Sequence, residues 1–358
     1  MKSFKISTPG RICLFGEHQD YLGLPVIAAA INKRIYIEAI QRNDSILKIE
    51  LLDLNSADEI SLDKEIIYKF ERDYLRSSLN VLKKRGFSFT KGYDVKIFGN
   101  IPVNSGTSSS TALVVSWIHF LSKISDVKFN LSQEEIAHLA YLAEVVEFSE
   151  PGGMMDHYST SLGNIIWLQT VPCIKVTKIN IDLGDFILVD SEEPKDTKFI
   201  LSRIKNNVID AVNKLKNKFD DFDLQNVLID DLERYKYEIS EEQYELLTAT
   251  LQNRDITFEA LKVLTASEVS KSRIGNLMNE HQKILREVLQ ISTPKIDRLI
   301  DVALNAGALG AKINGSGGGG CMFAYAPNNS EKVIEELKKV SHKSWIVKID
   351  KGTMVNYD

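Results

Sequence analysis

The chain has 358 residues, is 44% hydrophobic and 26% charged, and carries a net charge of −5. Its length exceeds one comfortable core and suits two domains, while the acidic balance argues against a general nucleic-acid binder, which needs a basic excess. Cys13, Cys173 and Cys321 stand far apart with no CxxC pair, so neither a disulfide framework nor a zinc site is indicated, and a reducing cytosol is the expected setting.

The opening segment "MKSFKISTPGRICLF" lacks the continuous apolar core of a signal peptide. The longest apolar run, 112–121, is broken by Ser116 and His119 and falls far short of a membrane span. The chain is therefore expected to be soluble and cytoplasmic, with no membrane or nucleic-acid partner. Its first hundred residues read mostly as strands, "RIYIEAI", "ILKIELLDL" and "YDVKIFGNIP", with a helix over 68–86 between them. Helices are expected over 108–124 and 133–148, the second opening with Ser132 and Glu135 at capping-box spacing. "PGGMMDHYSTSLG" reads as a turn into a short amphipathic piece, followed by the strand "NIIWLQT". After the strand "FILVD" comes a helical stretch over 197–290 broken by acidic turns, then a helix "PKIDRLIDVALNAGALG" stopped by Gly310. The chain closes with "AKI", the loop "NGSGGGG", the strand "CMFAYA", the helix "SEKVIEELKKV" and the strand "WIVKID". The change from a strand-rich to a helix-rich half puts a boundary near 172–182.

"GSGGGG" at 315–320 satisfies G-x-G-x-x-G, but it lies between two short strands instead of opening a helix, so a dinucleotide fold is rejected. No G-x-x-x-x-G-K-[ST] occurs either. Four consecutive glycines exceed what a hairpin needs, which points to close approach of the backbone to a ligand or to another loop. Earlier, "PVNSGTSSSTALVVSWIHFL" sets a run of hydroxyl residues before an apolar helix. A helix start needs one capping hydroxyl, and the excess suits either that cap or a phosphate site made by free N–H groups and the helix dipole.

"GRICLFGEHQDYLG" packs Arg11, Glu17, His18, Gln19 and Asp20 behind apolar "ICLF", as a site on a loop beyond a buried strand would, or as a solvated turn would. Asp156, after glycines and two methionines, is either a carboxylate in an apolar setting or a helix cap. His119 and His138 lie on helices and read as structural. On the 133–148 helix, Glu147 falls within the buried face and Glu144 on its edge, and periodicity does not choose between them as a metal ligand.

In order, "PGRICLFGEHQDY", "PVNSGTSSSTA", "GGMMDHYSTSLG" and "AKINGSGGGGC" resemble the GHMP kinases, the first being specifically galactokinase-like. "EHQKILREVLQISTPKIDRL" also resembles a family segment, so the likeness spans nearly the whole chain. The resemblance implies a two-lobed α/β kinase: a strand-rich N-terminal domain, 1–175, with the sugar and ATP loops, and a ferredoxin-like C-terminal domain, 176–358, with the Gly-rich loop 314–320. The active site would lie in the cleft. It implies that Arg11 and Asp156 are the catalytic pair, that Glu17, His18 and Asp20 hold sugar hydroxyls, and that Gly153 contacts the sugar through its backbone. Asn104, Ser105, Gly106, Thr107, Ser108, Ser109 and Ser110 would wrap the ATP phosphates, with Gly317 in support. Ser110 and Glu144, the latter twelve residues before Asp156 as in the family, would hold Mg²⁺.

The chain departs from the family at Cys13, where Asn is usual, at Thr107 for Leu, at Asn314 for Thr and at His157 for Gln. No tyrosine stands in "VDSEEPKDTKFILSRIK", where galactokinases carry a sugar-contacting one. The implied activity is ATP-dependent phosphorylation of a free monosaccharide at the anomeric hydroxyl. Two rivals are a non-catalytic sugar and ATP sensor and a kinase for a non-sugar alcohol such as mevalonate or homoserine. Retention of "SSSTA", Arg11 and Asp156 speaks against the first, and "GEHQDY", a polyol-binding set of donors and acceptors, against the second.

Overall fold

A computed structural model describes residues 3–103, 105–194 and 197–357, without the side chains of 197–202. The strands and helices follow in chain order: β1 (Ser3–Phe15), β2 (Val26–Gln41), β3 (Ile46–Leu51), β4 (Ser56–Ser61), α1 (Tyr74–Lys84), β5 (Tyr93–Gly99), α2 (Ser109–Ile124), α3 (Gln133–Tyr141), α4 (Met155–Leu162), β6 (Ile165–Gln169) and β7 (Lys175–Ile179). Then come β8 (Phe186–Asp190), α5 (Thr197–Lys218), α6 (Glu241–Leu264), α7 (Lys271–Glu287), α8 (Pro294–Asn305), β9 (Gly310–Ile313), β10 (Cys321–Tyr325), α9 (Ser330–Lys338), β11 (Ser344–Val347) and β12 (Met354–Tyr357).

The larger sheet has the order β12-β1-β2-β5-β3-β4, with β6 also paired to β2 and β7 to β6. The smaller sheet is antiparallel, in the order β11-β8-β10-β9. Strand, helices, two strands, helix and strand, with the last strand beside the first, make this half ferredoxin-like. The larger sheet draws on both sides of residue 175: β7 runs from it to Ile179, and β12 returns from the C-terminus to pair with β1. Arg34 holds that return by donating to Asp350 and to the carbonyls of Lys351 and Gly352.

The end of β1 is buried on both faces, which is why "ICLF" reads as an unbroken apolar run. Ile12 and Leu14 pack with Phe186 and Phe323 of the smaller sheet, while Cys13 packs with Tyr158 and Leu162 of α4. Position 11 therefore faces the same side as position 13, toward α4.

Three boundaries differ from the sequence reading. The first helix begins at Tyr74 because Asp73 caps it by accepting from the Arg76 N–H. The expected 133–148 helix is regular only to Tyr141 and then widens into a π turn over Leu142–Val146. The helix α8 stops at Gly307, whose φ of +107° ends it, while Gly310 already begins β9. Among the described residues no helix is long and apolar enough to cross a membrane.

Candidate active site

A cavity of about 390 Å³ is lined by residues of five distant segments: the end of β1 with the turn after it, the start of α1, the start of α2, the π turn through the start of α4, and the loop after β9. Arg11 and Asp156 face one another across its floor. Arg11 Nε donates to Asp156 Oδ1 at 2.8 Å and NH2 to Oδ2 at 2.9 Å, a bidentate pair. Its remaining amino group donates to the Gly106 carbonyl, so one guanidinium joins α4 to the hydroxyl loop. Burial alone would raise the Asp156 carboxyl, but the charge and hydrogen bonds of Arg11 outweigh it and hold the group below the usual carboxylate range. Asp156 is thus an ionised acceptor in the first turn of α4, with no side chain capping that helix.

Asp20 stands beside this pair. Its Oδ1 accepts from the Tyr21 N–H at 2.9 Å and its Oδ2 from the Met155 N–H at 3.3 Å, which ties the turn after β1 to α4. Burial, then the nearby charge of Asp156, push its carboxyl up. Gly153 explains itself here: a Cβ at that position would lie 2.0 Å from Asp20 Oδ2. His18, at φ +62°, is held by Tyr21 Oη at 3.1 Å and by the Ser316 carbonyl at 3.1 Å. Glu17 belongs to the cavity wall, but its Oε1 is bound by Lys312.

The hydroxyl run resolves in favour of an open helix start. Ser108 occupies the cap position of α2 at φ +61°, a left-handed conformation, and makes no capping hydrogen bond through its side chain. Ser105, Gly106, Ser108, Ser109 and Ser110 line the cavity. A helix start without a side-chain cap is a ready anion site. Thr107 does not join them: its hydroxyl turns inward to the Pro102 carbonyl at 3.2 Å. Asn104 lies outside the described residues.

The glycine loop is built to press on this run. Gly315, Gly317, Gly318, Gly319 and Gly320 all have positive φ, so a run of glycine is required whether or not a ligand binds. The Cys321 N–H donates to the Ser105 carbonyl at 2.8 Å, and Asn314 bridges the Cys13 N–H at 2.9 Å and the Gly106 carbonyl at 2.8 Å. Gly315 and Ser316 line the cavity. Gly317, expected at the nucleotide, instead packs on Ile291, 2.5 Å from where its Cβ would lie.

Glu144, in the π turn, reaches the cavity and lies 2.9 Å from His157 Nε2. Glu147 turns away to Tyr68 and Lys84. Sequence reasoning missed Arg72, whose bidentate pair with Glu150 is part of the cavity wall, and Tyr74 beside it, pushed up to about 12 by burial. It also missed Lys312. The signal was a lysine in the middle of "AKI", a strand with apolar neighbours on both sides, which demands a buried counter-charge.

Family models match three parts of the chain: the galactokinase galactose-binding signature at 2–40, the GHMP kinases N-terminal domain at 73–164 and the GHMP kinases C-terminal region at 266–343, together more than half of it. The chain belongs to the GHMP kinases. Members of this family are phosphotransferases that take the phosphate from ATP. A galactokinase from Glaesserella parasuis is 28% identical over 93% of this chain and 87% of its own length. A mevalonate kinase from Thermococcus sibiricus is also 28% identical, over 96% of each. The structure of Lactococcus lactis galactokinase complexed with galactose has the same fold, with a TM-score of 0.86 at 22% identity over 98% of this chain and 95% of that one. This GHMP kinase thus has relatives in both substrate classes.

Proposed function

We propose that this GHMP kinase phosphorylates a free monosaccharide at its anomeric hydroxyl, with ATP as donor. The observation that carries the reading is the Arg11–Asp156 pair, set between the "GEHQDY" turn and the open start of α2 in one cavity. Phosphoryl transfer needs positioning and charge stabilisation above all. In this reading the sugar lies against Glu17, His18 and Asp20, with the Gly153 backbone at its edge. Asp156 orients the attacking hydroxyl and accepts its proton, while Arg11 keeps Asp156 ionised and offsets charge on the transferring group. The phosphates lie on Ser105, Gly106, Ser108, Ser109 and Ser110, with Thr107 and Gly317 shaping the loop from behind. Residues to about 175 supply both loops and the C-terminal half the glycine support.

Mg²⁺ suits the donors present. It is commonly held by one or two carboxylates together with substrate phosphates, and Glu144 brings a carboxylate to the cavity, steadied by His157 Nε2 at 2.9 Å from its Oε2. Glu144 and the exposed Ser110 hydroxyl, both on the cavity wall, would hold it, and it would neutralise charge on the phosphates.

A second reading, transfer to mevalonate, draws on the equal identity to a mevalonate kinase. The experiment is ADP release with Mg-ATP against galactose, talose, mannose, arabinose, N-acetylgalactosamine, galacturonate, a heptose and mevalonate. Turnover with a monosaccharide, lost in Asp156→Asn, is expected. Turnover with mevalonate alone would overturn the sugar reading, and sugar binding without turnover would make the protein a sensor.

A further inference from the structure

Lys312 is fully buried in β9, and its ammonium has three acceptors around it: Glu17 Oε1, the Cys13 carbonyl at 3.2 Å and the Ile313 carbonyl at 3.2 Å. The Phe323 ring lies 5.2 Å from it. A buried charge persists only where it is paired, and Glu17 is the carboxylate that pairs this one. Glu17 Oε2 makes no hydrogen bond and lies 3.7 Å from Nδ1 of His281, a ring that burial, then the Lys312 charge, hold well toward neutrality. Two further contacts run alongside this pair: Cys13 N–H to Asn314 Oδ1 at 2.9 Å and His18 Nε2 to the Ser316 carbonyl at 3.1 Å. Residues 312–316 thus form a seat for the whole of 13–18.

We propose that Lys312 is a positioning residue of the sugar pocket: it clamps Glu17 from the C-terminal half and so fixes the turn that carries His18 and Asp20 at the sugar. The role rests on the sugar-kinase reading. A lysine that merely stabilised the fold would affect every kinetic parameter alike; a lysine that sets Glu17 affects sugar recognition.

The test uses the full chain, Mg-ATP and whichever panel monosaccharide turns over fastest. In Lys312→Met the sugar KM is expected to rise ~10-fold or more, the loss that follows weakening of a charge-assisted hydrogen bond, while kcat and the ATP KM change far less. Lys312→Arg should recover most of the sugar KM. The double variant Glu17→Gln with Lys312→Met, which leaves no unpaired buried charge, should regain melting temperature yet keep the raised sugar KM. An unchanged sugar KM in Lys312→Met, a parallel fall of all parameters with melting temperature, or recovery of the sugar KM in the double variant would each overturn the role alone. A wild-type enzyme that phosphorylates no monosaccharide would overturn the role together with the reading beneath it.

Discussion

Arg11 and Asp156, 145 positions apart in the sequence, share two hydrogen bonds of 2.8 and 2.9 Å, and the same guanidinium reaches the Gly106 carbonyl. One side chain therefore sets the distance between the acceptor on α4 and the helix start that faces it. Asp156→Asn keeps the shape and removes the charge. It should lower kcat by about 10²- to 10⁴-fold, the range for loss of a positioned proton acceptor, while ATP binding measured by calorimetry persists. Arg11→Lys, which cannot form the bidentate pair, should also act mainly on kcat.

Two neighbouring carboxylates of the cavity, Asp156 and Asp20, are shifted in opposite directions. Asp156 is held below the usual range and Asp20 is pushed above it, so on acidification Asp20 takes its proton first. The sugar KM should therefore begin to rise at a higher pH than that at which kcat falls, and initial rates from pH 8 down to 4 separate the two. For folding the signs also differ. The Asp20 contribution is complete below its unfolded value of ~3.9 and is lost as pH rises through its folded value. That of Asp156 is present above the unfolded value and is lost as pH falls through its lower folded one.

Gly153→Ala places a methyl 2.0 Å from Asp20 Oδ2, and Asp20 has to move. Overpacking of this kind costs about 1–3 kcal/mol, and here the expected readout is a raised sugar KM with the ATP KM left near its original value. A variant with both unchanged would mean that Asp20 does not hold the sugar.

Asn314→Leu cuts the bridge between the Cys13 N–H and the Gly106 carbonyl. The buried Cys13 N–H loses its partner, at about 1–3 kcal/mol, and the Gly106 carbonyl keeps only the Arg11 donor. Because Gly106 belongs to the proposed phosphate loop, the ATP KM should rise more than the sugar KM.

His119 tests the return of the C-terminus. It is buried on α2, its Nδ1 lies 3.0 Å from Thr353 Oγ1, and burial holds its pKa down at about 4. The unfolded chain binds this proton near pH 6.5, so stability is complete above that value and falls as pH drops toward about 4. Between pH 7.5 and 5 the loss should be roughly 2 kcal/mol, and His119→Asn should flatten that part of a urea-unfolding profile.

Motifs with a short-range cause were the legible ones. "GEHQDY", "SSSTA" and "MMDHYS" each place their polar groups at a turn or helix start by local chain geometry, and the structure brings all three to one cavity. Periodicity could not choose between Glu144 and Glu147. A π turn decides which one reaches the cavity, and a 3.6-residue repeat carries no trace of it. Thr107 and Gly317 sit inside their motifs yet pack on Pro102 and Ile291, because a loop has no repeating geometry from which the direction of a residue can be read. Least legible were the partners made by tertiary contact: Lys312 with Glu17 and Asn314 with Cys13 join residues some three hundred positions apart. Nothing in the local sequence chooses among all the carboxylates available to a buried lysine.

The most direct measurement of the central claim is the position of the phosphate on the product. Purified protein, Mg-ATP and the monosaccharide that releases ADP fastest should give a sugar phosphate whose phosphorus couples to the anomeric proton by ¹H–³¹P NMR. A phosphate on any other carbon, or a product formed from mevalonate and from no sugar, would contradict the account.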